Sequence, residues 1–356
     1  MRKLLLLIGL TTCSLFVSAQ IVTNVVATQV GNTVEITYDL DRSAIVTLWL
    51  SRDGGENYTE VPRSLSGDIG ITRSGKDKKI VWNLMEDGDD WDIPHARFKI
   101  DLQGVSELNF TINDLKFTMV EIEGGSFVMG CTPEQKGDCE ADEAPAHEVA
   151  VSDFYIGKTE VTQALWKAIM GTTVQELWKA NAPTSPFKGE GDELPMYYVS
   201  WNDCQEFIDR MNKAFGPQLS GMHFALPTEA QWEYAARGGR KKGSYAYKYS
   251  GSDILGSIAW FGGNSHNTVH PVAKKNANAL GLFDMSGNVF EWCADWYGPY
   301  NSKPVADPTG PQDGEYKVYR GGCWLGDDCR VSRRKGDFRP GDRSCMLGFR
   351  LVLIKD

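Results

Sequence analysis

The chain has little histidine and lacks the closely spaced ligand pairs of a zinc site. Its 356 residues include five histidines, and none lies four residues from another within a plausible helix. The sequence holds no Cys-x-x-Cys pair and no cluster that combines cysteine with histidine. Because structural zinc is bound by such ligand sets, the sequence argues against a zinc-stabilised protein.

Excess positive charge and long apolar runs are also missing. The chain has 37 Lys and Arg residues against 47 Asp and Glu residues, a net charge of −10. An acidic surface repels phosphate backbones, so we expect no nucleic-acid partner. Beyond the N-terminus no segment approaches the roughly 20 apolar residues that span a bilayer, so we expect no transmembrane segment in the mature chain.

The N-terminus has the pattern of an export signal. Two basic residues precede the apolar stretch 4–10, and a small-residue cleavage site ends at Ala19. The pattern predicts a signal peptide over 1–19 and a protein that is periplasmic, associated with the outer membrane or secreted. An alternative is a lipoprotein anchored through Cys13.

An exported chain permits disulfides. Seven cysteines follow the predicted signal, so at least one of them has no partner within the chain. Cys131 and Cys139 are close enough in sequence for a local bridge. Spacing alone does not decide the other pairings.

Residues 20–104 have the pattern of a small all-β module. Apolar residues alternate with period two over 34–38 and 44–50, with turn residues between the runs. This spacing predicts a β-sandwich like an immunoglobulin or fibronectin type III module. A linker is expected near 104–109, and a second domain over 115–356.

The second domain has three predicted helices, at 162–170, 201–214 and 228–237. Thr228 is placed to cap the third helix, with Gln231 three residues later as its capping-box partner. Ser200 is placed to cap the second. After Gly239 the regular periodicity fades over more than 100 residues.

Four blocks of sequence stand out in this second domain. They are Leu-Pro-Thr-Glu-Ala-Gln-Trp-Glu-Tyr-Ala-Ala-Arg-Gly-Gly at 226–239, Gly-Leu-Phe-Asp-Met-Ser-Gly-Asn-Val-Phe-Glu-Trp at 281–292, Tyr-Arg-Gly-Gly-Cys-Trp at 319–324 and Leu-Gly-Phe-Arg-Leu at 347–351. In this order and spacing they resemble the formylglycine-generating enzyme family, also called the sulfatase-modifying factor family, from about 117 to 354. The resemblance implies an α+β fold: a loop-rich, C-type-lectin-like domain, preceded here by the small all-β sandwich.

The resemblance also implies a calcium site in the 284–291 loop. Carried over residue by residue, Asp284 and Glu291 would supply side-chain oxygens, and Gly287 and Val289 would supply backbone carbonyls. Calcium takes six to eight oxygen ligands, and carbonyls count among them. A tight acidic turn without metal is the alternative.

The family enzyme oxidises a substrate cysteine to formylglycine with a copper(I) ion held by two cysteines. Soft thiolates suit copper(I), and Cys323 and Cys329 are the candidates here. Five residues separate them, and they are out of register with the family pair, with Asp327 and Asp328 next to Cys329. Negative charge nearby raises the pKa of a thiol. The alternative role for Cys329 is a disulfide, with Cys293 as the partner.

Two functions therefore remain open. The first is an exported, non-catalytic binding or assembly module that interacts with a protein partner in the cell envelope, as in Bacteroidetes-type envelope proteins. The second is an active copper-dependent oxidase with a peptide substrate, in which Cys323 and Cys329 are catalytic. The non-catalytic function is favoured because the cysteine pair is out of register.

Overall fold

A computed structural model of the chain describes residues 22–40, 44–62, 64–72, 75–87, 96–104, 107–181, 186–219, 221–240 and 247–355. These residues form two compact units, one from the residues up to 104 with 217–219, the other from 107–216 and 221–355. The predicted signal peptide, including Cys13, lies outside the described residues. The stretch predicted as a linker overlaps the second unit, whose first strand begins at Glu107.

The described part of the first unit is all-β apart from one short helix. Its elements are β1 Val22–Val30, β2 Thr33–Leu40, β3 Ala44–Ser51, β4 Leu65–Gly67, β5 Gly70–Thr72, β6 Gly75–Asn83, α1 Leu84–Asp87 and β7 Arg97–Gly104. The strands form two antiparallel sheets, of order β1-β2-β6-β4 and β5-β3-β7.

Both sheets of this unit contribute to one apolar core. Ile36 from β2 and Leu48 from β3 are fully buried within it. Along β2 every second residue is buried, which is the period-two pattern read from the sequence. Trp82 and Phe98 meet edge to face across the core, with ring centroids 5.8 Å apart. The prediction of an all-β N-terminal module is confirmed.

The second unit mixes strands with short helices. Its strands are β8 Glu107–Ile112, β9 Leu115–Ile122, β10 Gly125–Met129, β11 His147–Val151, β12 Phe154–Gly157, β13 Met222–Ala225, β14 Phe290–Trp296, β15 Val305–Ala306, β16 Lys317–Arg320, β17 Arg334–Phe338, β18 Leu347–Gly348 and β19 Val352–Lys355. They form three sheets, of order β13-β19-β12-β9-β8, β10-β11-β15 and β17-β16-β14-β18. The helices are α2 Gln163–Met170, α3 Val174–Ala180, α4 Trp201–Phe215, α5 Glu229–Ala236 and α6 Leu255–Ile258.

The predicted helices begin where their caps predict. The Ser200 hydroxyl accepts the backbone N–H of Asp203 at the start of α4. At α5 the Thr228 hydroxyl accepts the N–H of Gln231, whose side chain accepts the N–H of Thr228 in return. The short helix α3 was not predicted, although Thr173 and Glu176 form the same capping box.

The second unit is loop-rich between α6 and β14, as the fading periodicity indicates. Three arginines, Arg320, Arg334 and Arg350, are among its largest fully buried side chains. Arg320 and Arg350 lie in two of the sequence blocks noted above, and Arg334 lies between those two blocks. A buried guanidinium requires a charged partner, so these arginines identify where the loops are held together. The α+β, loop-rich class is confirmed.

Candidate functional site: a carboxylate loop and a thiol-lined groove

Asp284 occupies a strained, buried position in the 284–291 loop. Its side chain is 2% exposed and its backbone φ is +56°, in the left-handed region that non-glycine residues seldom adopt. Oδ2 accepts the backbone N–H of Ala273 at 2.8 Å. Oδ1 is buried and has no hydrogen-bond partner among the described residues.

Glu291, at the other end of the loop, is already engaged by protein groups. Its Oε1 lies 2.7 Å from Nη2 of Arg350, and its Oε2 lies 3.0 Å from Nε of the same residue. Trp232 Nε1 also donates to Oε2, at 2.7 Å. A buried guanidinium in contact with the carboxylate neutralises it and repels a second cation.

The middle of the loop is fixed by backbone contacts. Gly287 has φ +85°, and a Cβ added to it would lie 2.4 Å from the carbonyl oxygen of Trp260, so only glycine fits. Glu160 accepts the backbone N–H of Val289 at 3.1 Å and the side-chain amide of Asn288 at 2.8 Å. The loop is thus held by a buried carboxylate that the sequence did not indicate.

These contacts decide how well the loop fits a calcium ion. Asp284 offers one free oxygen, but Glu291 is paired with Arg350. In the described part of the chain, no group of three or more His, Cys, Asp or Glu side chains is arranged to hold a metal ion. Glu291 does not fit the role of calcium ligand, so calcium binding at Asp284, Gly287, Val289 and Glu291 rests on the family resemblance alone.

Three carboxylates share this region with one guanidinium. Burial raises the pKa of Asp284 to about 6. Burial, and then the charges of Asp284 and Glu291, raise the pKa of Glu160 well above its ordinary value. Because these three acids share the guanidinium of Arg350, protonation of their carboxyl groups stabilises the folded state.

The thiols of Cys323 and Cys329 are both buried. Cys323 is 2% exposed and Cys329 is fully enclosed. A Cβ added at Gly322 would lie 2.5 Å from Sγ of Cys329, so Cys329 packs directly onto the Gly-Gly turn. Burial raises the pKa of Cys323.

The pKa of Cys329 is raised well above its ordinary value. Burial is the largest cause, followed by Cys323 and then by Asp328 and Asp327. The direction agrees with the argument from sequence, although burial outweighs the two aspartates. Neither thiol is in an environment that favours the thiolate, which is the form that binds copper(I).

One of the two disulfide predictions is confirmed and the other is wrong. Cys131 and Cys139 are bonded, with their Cα atoms 5.9 Å apart, so the local bridge is confirmed. The pairing of Cys293 with Cys329 is wrong, because both are free thiols. Cys293 lies in β14 within the main apolar core, whereas Cys329 packs on Gly322.

A groove of about 360 Å³ lies beside Cys323. Its lining includes Phe290, Cys323, Leu325, Asp327, Asp337 and Phe338. Leu325 is 52% exposed. One wall is β17, which among the described strands pairs only with β16 and so forms the edge of its sheet. An edge strand has backbone groups free to pair with another chain.

The sequence did not reveal the acids that pair with the buried arginines. Arg330 donates to both oxygens of Glu143 at 2.7 Å. Arg334 donates to both oxygens of Glu229 at 2.8 Å, and Arg320 contacts Glu233. Glu229 and Glu233 lie four residues apart on α5, on the side that faces β14 and β16. The four-residue spacing of these two glutamates is the one feature of the sequence that could have indicated them as partners of buried arginines.

The fold and the site define a loop-rich α+β domain that is held by buried arginine–carboxylate pairs and has a groove beside the buried thiol of Cys323. Residues 111–355 match the family described as the sulfatase-modifying factor enzyme 1-like domain. The chain belongs to this family.

Individual proteins show the same relationship. A formylglycine-generating enzyme of Streptomyces coelicolor is 28% identical over 289 residues, which cover 65% of this chain and 87% of that protein. A Paenibacillus barcinonensis protein named chaperone protein LppX is 30% identical over 262 residues, covering 61% of this chain and 81% of its own length. The solved structure of Treponema denticola variable protein 1 superposes with a TM-score of 0.59 and 29% identity, over 70% of this chain and 99% of its own.

Proposed function

We propose that the chain is an exported, non-catalytic binding module that recognises a protein partner in the cell envelope. The observation that carries this proposal is the state of Cys323 and Cys329. Both thiols are buried and both have raised pKa values. A copper(I) centre needs two thiolates that converge on an open position, and this environment favours two protonated thiols.

The groove beside Cys323 is the surface we assign to the partner. It combines an exposed apolar side chain, Leu325, with the aromatic Phe338 and the carboxylates of Asp327 and Asp337. The edge strand β17 can pair with an extended segment, so that backbone bonds supply affinity and the flanking side chains supply specificity. Three aspartates line the groove, and one of them, Asp328, is paired with Arg330 and Arg333. The other two, Asp327 and Asp337, share the groove with one ammonium, Lys335, so the groove favours a segment that carries a basic residue.

One structural observation supports export. The Cys131–Cys139 disulfide is a bond that persists in oxidising compartments. No helix among the described residues is long and apolar enough to cross a bilayer. The N-terminal pattern described above supplies the signal that export requires.

The second candidate function is a copper-dependent oxidase that converts a substrate cysteine to formylglycine. It is favoured by the similarity to the Streptomyces coelicolor enzyme and by the position of Cys323 in the wall of the groove. In that function Cys323 and Cys329 would hold the ion, and copper would supply the reaction with oxygen. The ion would have to displace protons from two enclosed thiols.

A direct assay separates the two functions. The purified chain is incubated with copper(I), oxygen and a sulfatase-type cysteine peptide, and the peptide is examined by mass spectrometry. We expect no aldehyde from the parent protein or from Cys323→Ser. Copper-dependent aldehyde that disappears in Cys323→Ser would establish the oxidase instead.

Partner recognition is tested by peptide display on the parent protein, followed by counter-selection on Leu325→Asp. We expect enriched extended sequences that contain a basic residue next to an apolar one and that bind Leu325→Asp at least tenfold more weakly. Ile254→Asp is the matched control, because Ile254 is also exposed but lies outside the groove. Equal binding to the Leu325 and Ile254 variants would show that the groove is not the docking surface.

A further inference from the structure

A second cavity, separate from the groove, lies beneath the loop 298–311. Its volume is about 520 Å³, within the range of pockets that hold small molecules. The apolar part of the wall includes Met129, Pro299, Tyr300, Pro304 and Pro311. None of the residues that line it also lines the groove beside Cys323.

His147 lines this cavity and has one ring nitrogen without a hydrogen-bond partner among the described residues. The ring is 7% exposed, and its Nδ1 lies 3.1 Å from the carbonyl oxygen of Pro145. Because a carbonyl can only accept, Nδ1 carries the proton, and Nε2 of the neutral ring has a free lone pair. Nε2 has no hydrogen-bond partner among the described residues. The ring is held in place by Tyr300, with centroids 4.8 Å apart.

Asp295 places a buried carboxylate in the same wall. The side chain is almost fully buried, and its Oδ2 accepts the backbone N–H of Glu229 at 2.8 Å. Among the described residues no cationic group lies within 4.0 Å of it, the limit for an ion pair. Burial, and then the charge of Glu229, raise its pKa to about 7.

Neither of the neighbouring cations among the described residues forms an ion pair with this acid. Arg334 is committed to Glu229 through two 2.8 Å bonds, and its face is covered by Tyr300 at 3.9 Å. Lys317 lies between Trp201 and Trp296, 4.1 and 3.8 Å from their ring centroids, and donates to the carbonyl of Ala294. The cavity therefore presents two acceptors, Asp295 and His147, and neither forms an ion pair with a cation among the described residues.

We propose that this cavity binds a primary amine with an aliphatic body, such as a free alkylamine or a lysine side chain. The ammonium would donate to the Asp295 carboxylate and to Nε2 of His147, and so restore the solvation that burial removed. The methylene chain would pack against Met129, Pro299 and Pro311. Lys303, at the rim, is the internal competitor for the same carboxylate.

The test is a calorimetric titration of the full chain with n-pentylamine and, in parallel, with n-pentanol. The two probes share an apolar body and differ in the charged donor. We expect saturable 1:1 binding of the amine at pH 8 and at least tenfold weaker binding of the alcohol. Equal affinity for the two probes, or no saturable binding of the amine, would overturn the proposal.

The pH dependence of amine binding provides a second test. With a pKa of about 7 for Asp295, the ionised share falls to about a tenth at pH 6, while the amine stays charged. Protonation of His147 acts in the same direction. Burial lowers the pKa of Lys317 to about 8, so Lys317 gains positive charge over the same range and weakens amine binding in the same direction. Arg334 stays paired with Glu229. We expect amine affinity to fall about tenfold between pH 8 and pH 6. Affinity that is flat over this range would count against Asp295 as the anchor.

Single-residue variants test which side chains of the cavity bind the amine. Asp295→Asn keeps an acceptor for the Glu229 N–H but removes the charge, and we expect at least a tenfold loss of amine binding. His147→Phe keeps the ring against Tyr300 and should also weaken binding, which provides a second reading if Asp295→Asn folds poorly. Asp209→Asn, on the exposed side of α4, removes the same charge elsewhere and should bind as the parent does. Unchanged affinity in both cavity variants would refute the site, and neither result depends on the thiols or on the groove.

Discussion

Arg350 and Glu291 form a buried bidentate ion pair at the centre of the second unit. The guanidinium donates to Oε1 at 2.7 Å and to Oε2 at 3.0 Å. Its other donors reach the carbonyls of Gly157 and Phe283, each at 2.8 Å. One residue near the C-terminus thus links β12, β14 and the loop that begins at Asp284.

Removing one partner of this pair should destabilise the protein strongly. In Glu291→Gln the Arg350 charge remains buried without a counterion, so we expect a loss of about 3–5 kcal/mol in urea unfolding. Adding Arg350→Met to Glu291→Gln should recover part of that loss. The exposed pair Glu206–Arg210 is the control, and Arg210→Met should cost less than about 0.5 kcal/mol. Equal costs at the two pairs would contradict this account of the core.

The same ion pair affects whether the 284–291 loop can bind calcium. Because Arg350 already neutralises Glu291, we expect EDTA to leave the melting temperature unchanged, contrary to the expectation from the family resemblance. A bound ion stabilises the folded state by mass action, so a calcium site would show as a lower melting temperature on chelation and recovery when calcium is restored. Thermal melts with and without EDTA decide between the two.

Stability should depend on pH through Asp284. An unfolded aspartate has a pKa of about 3.9, and in the fold burial raises the pKa of Asp284 to about 6. The folded state therefore binds this proton more tightly than the unfolded state does. The stability that this proton contributes is fully present below about pH 4 and is lost as the pH rises through 6. As the pH rises from 4 to 8, we expect the free energy of unfolding of Asp284→Asn to increase by up to about 3 kcal/mol relative to that of the parent.

The measurement is urea unfolding of both proteins at several pH values, with the exposed Asp209→Asn as control. Asp209→Asn should show a pH-independent difference from the parent. Glu160 titrates in the same region and remains in both proteins, so only the difference between Asp284→Asn and the parent is interpreted. A difference that does not change with pH would show that Asp284 is ionised throughout.

The sequence predicted the parts of this protein that depend on local patterns. The alternation along β2 and the caps at Ser200 and Thr228 involve neighbours a few residues apart, and each was found where expected. The pairing of Arg330 with Glu143 joins residues 187 positions apart, and no local pattern contains it. The proposed Cys293–Cys329 bridge failed for the same reason: nearness to a sequence block does not fix the direction of a buried side chain.

The Gly-Gly turn beside the groove provides the last prediction. Gly322 has φ +77°, and a Cβ there would lie 2.5 Å from Sγ and 2.8 Å from Cα of Cys329. Left-handed backbone costs a side-chain-bearing residue about 1–2 kcal/mol, and overpacking adds about 1–3 kcal/mol. We expect Gly322→Ala to lose about 2–4 kcal/mol in chemical unfolding. Because the clash includes the Cα atom, adding Cys329→Ala should recover only part of the loss.

Gly326, in the same loop, is the matched control, since nothing lies within 4 Å of a Cβ placed there. Gly326→Ala should therefore change stability by less than about 0.5 kcal/mol. If both variants were equally stable, Cys329 would not be packed on the turn, and its thiol would be free to move toward the groove. That outcome would remove the main argument against a copper-binding pair, so the two glycine variants test the enclosure on which the non-catalytic function depends.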